Sequence, residues 1–163
     1  TLFRQVIAAG KPLVLDADGL NLLAQAPAAL VDCIITPHPL EAARLLRRDQ
    51  VDPDRLAVAC QLQSEYGAVV VLKGAATLVA SDAGITINVL GEPAMATAGM
   101  GDVLSGLLGA LLAQGQPLSR AAELGVAHHG RAAQMATAQQ GEVGLLARDV
   151  ARHVGRSLSG MTL

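Results

Sequence analysis

Three short runs of uninterrupted apolar residues constrain this chain more than anything else in it. Pro12-Leu13-Val14-Leu15 ends at Asp16, Cys33-Ile34-Ile35 ends at Thr36, and Ala68-Val69-Val70-Val71-Leu72 ends at Lys73. A strand with one wet face alternates apolar and polar residues; an unbroken apolar strand must be covered on both faces. The predicted strands are residues 11–16, 32–36 and 68–72, in a mainly parallel sheet. Helical patterns return the chain between them, and right-handed crossovers place all three strand ends along one edge of the sheet. Open α/β sheets bind their ligands along that edge.

The remaining elements follow from spacing and punctuation. A helix end is expected over residues 2–9. Helices follow around Leu22, Leu23 and Ala26, closed by Pro27, and around Leu40, Ala43, Leu45 and Leu46. Residues 53–66 read as an amphipathic helix with Leu56, Ala57, Cys60 and Leu62 inward and Gly67 as its stop. Residues 77–80 and 85–89 form a hairpin through Ser81-Asp82-Ala83-Gly84. Helices close the chain from Met100, over residues 117–134 and over residues 145–158. No repeat and no low-complexity linker divides it.

At 163 residues with 52% hydrophobic content, the chain fits one domain, or a large piece of one. A net charge of −2, no basic runs, one Tyr, one Phe and no Trp argue against nucleic-acid binding. The longest apolar stretch, residues 103–113, is too short to span a bilayer, so no membrane association is expected. Cys33 and Cys60 lack metal-ligand or CxxC spacing and are expected as buried, reduced thiols in a cytoplasmic protein. The chain starts at Thr1, without an initiator Met and inside a helix end. An N-terminally incomplete domain is therefore expected.

The residues that carry chemistry sit at the strand ends and at one helix start. In Ala98-Gly99-Met100-Gly101-Asp102-Val103-Leu104-Ser105-Gly106, small residues lead into a single acid ahead of an apolar helical pattern. Such a start offers unpaired N–H groups and the positive end of the helix dipole to an anion. Asp102 is then either a helix cap or a group that handles a proton. Lys73-Gly74-Ala75-Ala76-Thr77 can neutralise phosphate and bond a nucleotide through backbone and hydroxyl, but it is no Walker A loop, because a strand follows it.

His38 stands between Pro37 and Pro39, whose rigidity suits a residue aimed at a ligand; an exposed or locally hydrogen-bonded histidine is the plainer reading. Glu41 suits the first turn of its helix. Asp16 and Asp18 read first as turn and cap residues, and Arg44, Arg47 and Arg48 as a solvated helix face. His128 and His129 are adjacent on a helix and face different ways, so they read as packing or solvent contacts rather than a metal pair.

Taken together, residues 35–41, 72–77 and 95–106, in this order, resemble the signatures of the ADP- or ATP-dependent NAD(P)H-hydrate dehydratases. Residues 14–21 resemble the strand and turn ahead of them. Ala98 stands where that family commonly has Gly, and Ala75-Ala76 where it has Ala-Gly. The resemblance implies a three-layer α/β/α ribokinase-like fold, a mainly parallel sheet with a β-hairpin, of which residues 1–163 are the C-terminal part of a single domain. It implies that ADP, or ATP, phosphorylates the C6 hydroxyl of the (6S)-hydrate of NADH or NADPH, and that phosphate then leaves. On this resemblance Asp102 is the catalytic base and, with His38, a substrate contact. Lys73, Gly74, Ala75, Ala76, Thr77 and Gly101 hold the nucleotide, and Ala98, Gly99, Met100 and Gly101 form the anion hole. Glu41 organises water around Mg²⁺. The implied partners are the small-molecule hydrate, further copies of the chain, the missing N-terminal segment and an epimerase domain. Two alternatives stand: a ribokinase-like small-molecule kinase, of hydroxyethylthiazole or hydroxymethylpyrimidine type, and a non-catalytic nucleotide-binding fragment.

Overall fold

The computed structural model describes residues 2–159. Its elements are α1 (Leu2–Ile7), β1 (Leu13–Leu15), α2 (Asp18–Gln25), β2 (Cys33–Ile35), α3 (Pro39–Leu45), α4 (Arg55–Tyr66), β3 (Val69–Leu72), β4 (Thr77–Ser81), β5 (Gly84–Asn88), α5 (Met100–Ala113), α6 (Leu118–Gln140) and α7 (Ala147–Leu158). A single turn of 3₁₀ helix, Pro93–Met95, precedes α5. The five strands form one sheet in chain order, β1-β2-β3-β4-β5. β1, β2 and β3 run parallel, and β4 and β5 return as the antiparallel hairpin.

The pleat of the three apolar strands divides the core. Ile35, Val70 and Leu72 face one side, where they join Leu20 and Leu23 of α2, Leu45 of α3 and Leu62 of α4. Ile34, Val69 and Val71 face the other, against Leu104, Leu107, Leu108 and Leu111 of α5 and Ala121, Ala122 and Val126 of α6. Three layers result. A smaller apolar cluster joins Met100 to Ala132, Ala133, Ala136, Leu145 and Val150, so the first residue of α5 is anchored by α6 and α7. No described helix is long and apolar enough to cross a membrane.

Two expectations need correction. α4 buries Val58, Ala59, Leu62 and Tyr66, while Leu56, Ala57 and Cys60 are exposed. Apolar residues surround this helix on all sides, so spacing alone does not pick the inward stripe; the packing against β3 and β4 does. Cys60 is consequently a surface thiol, unlike the buried Cys33, whose pKa burial pushes up to about 12. Boundaries also shift. α6 continues to Gln140 rather than Gln134, α7 starts at Ala147 rather than Leu145, and β1 is limited to Leu13–Leu15.

Tyr66 ties α4 to its neighbours. The side chain is fully buried, its hydroxyl donates to the Leu45 carbonyl at the end of α3 (2.8 Å), and its own carbonyl accepts from Leu30 N–H (2.8 Å). Tyr66→Phe keeps the ring and removes the hydroxyl bond. It is expected to cost about 1 kcal/mol, the net worth of a buried hydrogen bond. The loss reads as a lower urea midpoint at constant m; an unmoved midpoint would show that the Leu45 carbonyl finds another donor.

Candidate functional site

The ends of β1 and β3 meet at Asp16 and Lys73. Lys73 Nζ donates to Asp16 Oδ1 at 2.7 Å and lies 3.8 Å from Glu41 Oε2. Asp16 Oδ1 also accepts from Ala17 N–H (2.9 Å), and Oδ2 accepts from the Ser105 hydroxyl (3.1 Å). Burial alone would raise the Asp16 carboxyl. The hydrogen bond and charge of Lys73, helped by Ala17 N–H and the Thr36 hydroxyl, hold it below the usual carboxylate value. Asp16 therefore does more than shape its turn: it crosslinks β1, β3 and α5.

α5 starts against this pair. Gly99 caps it in the left-handed conformation (φ 84°), where a Cβ would also lie 3.1 Å from that of Ala147. A Cβ on Gly101 would lie 3.1 Å from Asp16 Oδ2 and 3.5 Å from Lys73 Nζ, so the glycine brings the helix backbone onto the pair. The N–H groups of Met100, Gly101 and Asp102 have no protein acceptor among the described residues, and Val103 N–H is the first to bond, to Gly99 carbonyl (3.2 Å). Asp102 is exposed and makes no capping hydrogen bond. Ala98 is exposed and outside the left-handed region, so its methyl group is accommodated freely.

The loop from Lys73 to Thr77 lies beside this helix start. Lys73 N–H donates to Pro37 carbonyl (2.8 Å) and Thr77 Oγ1 to Gly74 carbonyl (3.0 Å). Gly74 (φ 141°) and Ala76 (φ 54°) both have positive φ; at Ala76 the methyl group costs energy that the commoner Gly would not. A pocket of about 560 Å³ opens between this loop, residues 88–96, the start of α5 and α6. Lys73, Gly74, Ala75, Ala76, Thr77, Met100 and Gly101 line it. Ala98, Gly99, Asp102, His38 and Glu41 lie outside its wall.

His38 caps α3. Its Nδ1 accepts from Leu40 N–H (3.1 Å) and Glu41 N–H (3.3 Å), and Glu41 Oε2 accepts in return from His38 N–H (2.8 Å). This is a reciprocal capping box, with His in place of the usual Ser or Thr. With Nδ1 accepting, the proton of the neutral ring sits on Nε2, which is 3.6 Å from Glu41 Oε1 on a half-exposed side chain. Glu41 itself is buried.

The far wall of the pocket is not visible in any local motif. Residues 88–96 and, from α6, Val126, His129 and Gly130 complete it. A Cβ on Gly130 would fall 2.6 Å from the Leu90 carbonyl oxygen, so only glycine lets α6 support that loop. The run of small residues in α6 signals tight packing, but the sequence does not name what packs there. His128 and His129 are both buried; His128 Nδ1 shares a hydrogen bond with Ser157 Oγ (2.9 Å), 29 residues on.

A profile of the NAD(P)H-hydrate dehydratase family matches residues 1–156. The chain is 51% identical over 150 residues to the bifunctional NAD(P)H-hydrate repair enzyme Nnr of Vibrio cholerae, covering 91% of this chain and 30% of that protein. It is 47% identical over 151 residues to the ADP-dependent (S)-NAD(P)H-hydrate dehydratase of Neisseria meningitidis, covering 86% and 51%. The structure superposes on the ADP/ATP-dependent NAD(P)H-hydrate dehydratase of Bacillus subtilis co-crystallised with ATP and Mg²⁺, with a TM-score of 0.81, 28% identity, and 96% and 57% coverage. The fold is ribokinase-like. The chain spans about half, or less, of the length of these curated relatives.

His129 makes the pocket wall sensitive to acid. Its Nε2 is buried with no hydrogen-bond partner among the described residues, and burial pulls its pKa down to about 4. The unfolded chain takes up this proton near 6.5. Stability is therefore full above pH 6.5 and is lost as pH falls toward 4, by an amount on the order of 3 kcal/mol. His128 shifts the same way: burial lowers it, the bond with Ser157 opposes, and Arg131 and Arg120 lower it further. Urea unfolding at pH 7 and pH 4.5 should show the loss, and His129→Leu should flatten the profile across that window. Equal slopes in both proteins would assign the acid sensitivity to other groups.

Proposed function

The chain belongs to the NAD(P)H-hydrate dehydratase family, and from that premise we propose that the protein uses ADP, or ATP, to dehydrate the (6S)-hydrate of NADH or NADPH. Residues 1–163 would be the C-terminal part of one such domain. The observation that carries this reading is the position of Gly101. It lines the pocket, lies against the Asp16–Lys73 pair, and is followed directly by an acid that no cap consumes. A nucleotide in the pocket would have its transferable phosphate at the start of α5, and the hydrate would approach from the side of Asp102 and His38.

In the proposed reaction, the C6 hydroxyl oxygen of the hydrate attacks the terminal phosphorus of ADP. The bond to the bridging oxygen breaks, and AMP leaves; with ATP the product is ADP. Asp102 accepts the hydroxyl proton. The N–H groups from Ala98 to Gly101 stabilise charge on the transferred group, and Lys73 to Thr77 hold the nucleotide. The phosphorylated hydrate then expels phosphate as the ring nitrogen pushes in, and the resulting iminium loses its C5 proton to solvent or to the departing phosphate, which restores the C5–C6 double bond of reduced nicotinamide. Hydroxide is a poor leaving group and phosphate a good one, which is the chemical reason for phosphorylating before eliminating. His38 Nε2–H, on a half-exposed side chain whose Nδ1 the cap occupies, would donate to the hydrate.

Among the described residues no three His, Cys, Asp or Glu side chains gather into a metal site. Mg²⁺ would then be held mainly by phosphate oxygens and water, and Glu41 would reach it only through a water molecule. When bound, Mg²⁺ supplies charge neutralisation on the phosphates. The N–H array, the lysine and the base are the protein's own contribution. A cytoplasmic homo-oligomer, with an epimerase domain in the full-length polypeptide, completes the proposal; the bifunctional relatives support that last part.

With NADH hydrate and ADP supplied to the full-length polypeptide, absorbance at 340 nm is expected to recover, with AMP and phosphate released in equal amounts. A stable phosphoester without NADH would make the protein a ribokinase-like kinase instead, and no turnover of any hydroxyl substrate would make it a binding fragment. Asp102→Asn should keep ADP affinity while losing turnover by roughly a hundredfold or more, the usual scale for a missing general base. Near-normal turnover would remove Asp102 from the proton path.

A further inference from the structure

Arg55 is the first residue of α4, where a cation is electrostatically out of place because the helix N-terminus is already positive. It also lacks an acidic partner. Arg47 and Arg48 pair with Glu65 and Asp52, whereas Arg55 forms no ion pair among the described residues. Its guanidinium instead spends its hydrogen bonds on the backbone of the β3–β4 connection. Nη1 donates to the carbonyls of Ala75 and, at 3.2 Å, Ala76. Nη2 donates to those of Leu72 at 3.1 Å and Lys73 at 3.4 Å. Gly74 is shaped for this contact, since a Cβ there would lie 3.1 Å from Nη2 and its φ of 141° disfavours a side chain.

The bookkeeping of this loop is one-sided. The Gly74 carbonyl accepts from Thr77 Oγ1, so every carbonyl from Leu72 to Ala76 has a donor from within the protein. The N–H groups of Gly74, Ala75 and Ala76 have no protein acceptor among the described residues, and these three residues line the pocket. A loop whose carbonyls are occupied and whose N–H groups are left over binds anions. We propose that Arg55 is a positioning residue that holds the loop's carbonyls back, leaves its N–H groups to the phosphates of a nucleoside diphosphate, and adds an unneutralised positive charge behind them. Lys73 cannot supply that charge alone, because Asp16 and Glu41 already face its ammonium. The proposal deepens the functional reading above and rests on its nucleotide pocket.

The test uses the full-length polypeptide with ADP as the probe, binding measured by calorimetry without hydrate and turnover followed separately. Arg55→Ala is expected to weaken ADP binding, and to raise KM for ADP, by about tenfold or more, the scale of a lost charge-assisted bond. KM for the hydrate should stay within about twofold, because no Arg55 contact reaches the His38 side. Arg55→Lys should recover only part of the affinity, since an ammonium cannot span four carbonyls as a planar fork does. Guanidinium ion at low millimolar concentration should restore ADP binding to Arg55→Ala. Wild-type ADP affinity in Arg55→Ala would overturn the proposal. So would an equal loss for ADP and hydrate that tracks a fall in Tm and is not rescued by guanidinium. If wild-type protein binds ADP but returns no NADH, the dehydratase reading falls while the ADP data still decide the role of Arg55.

Discussion

The partly buried pair between Asp16 and Lys73 is the interaction on which the geometry of this edge depends. It joins positions 57 residues apart, at the ends of two strands separated by β2. Taking both charges out of water is costly, and the cost is offset only by close geometry and by further hydrogen bonds to the carboxylate. Asp16 has these from Ala17 and Ser105, the second of which ties the pair to α5. The helix start can therefore lie on the pair with only a glycine Cα between them. A larger residue at position 101 would push the start of α5 away from the strands that carry the pair.

The same pair changes how anion binding at this edge must be understood. Read in sequence, Lys73 is a cation waiting for phosphate; in the structure it lies between two carboxylates. On the proposed reading, the unpaired N–H groups at the start of α5 and along Gly74 to Ala76 matter more than the lysine, and Arg55 supplies a positive charge that no acid among the described residues neutralises. Partial charges on fixed backbone groups would suit the proposed site, which has to bind a diphosphate and later let its products leave. They orient the anion without the deep trap of a bare ammonium.

The parallel sheet, the hairpin and the strand-end site were legible because each rests on a local cue: an unbroken apolar run, a turn tetrapeptide, a glycine-led helix start. What was not legible is non-local. The inward face of α4 depends on β3 and β4, so Leu56 and Cys60 passed as core residues. Arg55 carries no signal in the sequence, since nothing in residues 53–66 shows that its partners are carbonyls 17 to 21 positions on. His129 and Gly130 complete the pocket from α6, across from a loop that local pattern leaves blank. That Asp102 is not a helix cap also needed coordinates. Gly99 takes the cap position in a left-handed turn, and the carboxylate makes no bond to the helix it sits on.

His38 and Glu41, two residues of the proposed site, are first of all structural. The capping box fixes the histidine through Nδ1, which in the neutral ring leaves the proton on Nε2, and fixes the glutamate through Oε2. The Nε2–H of that tautomer lies 3.6 Å from Glu41 Oε1, so the two side chains are held against each other on both sides of the cap. Asp102, in contrast, is left uncommitted. Phosphoryl transfer places little bonding on the attacking oxygen at its transition state, so the base is asked less for strength than for being present and unencumbered when the proton departs. A carboxylate in the first turn of α5, not engaged as its cap and next to the glycine that touches the Asp16–Lys73 pair, meets that requirement.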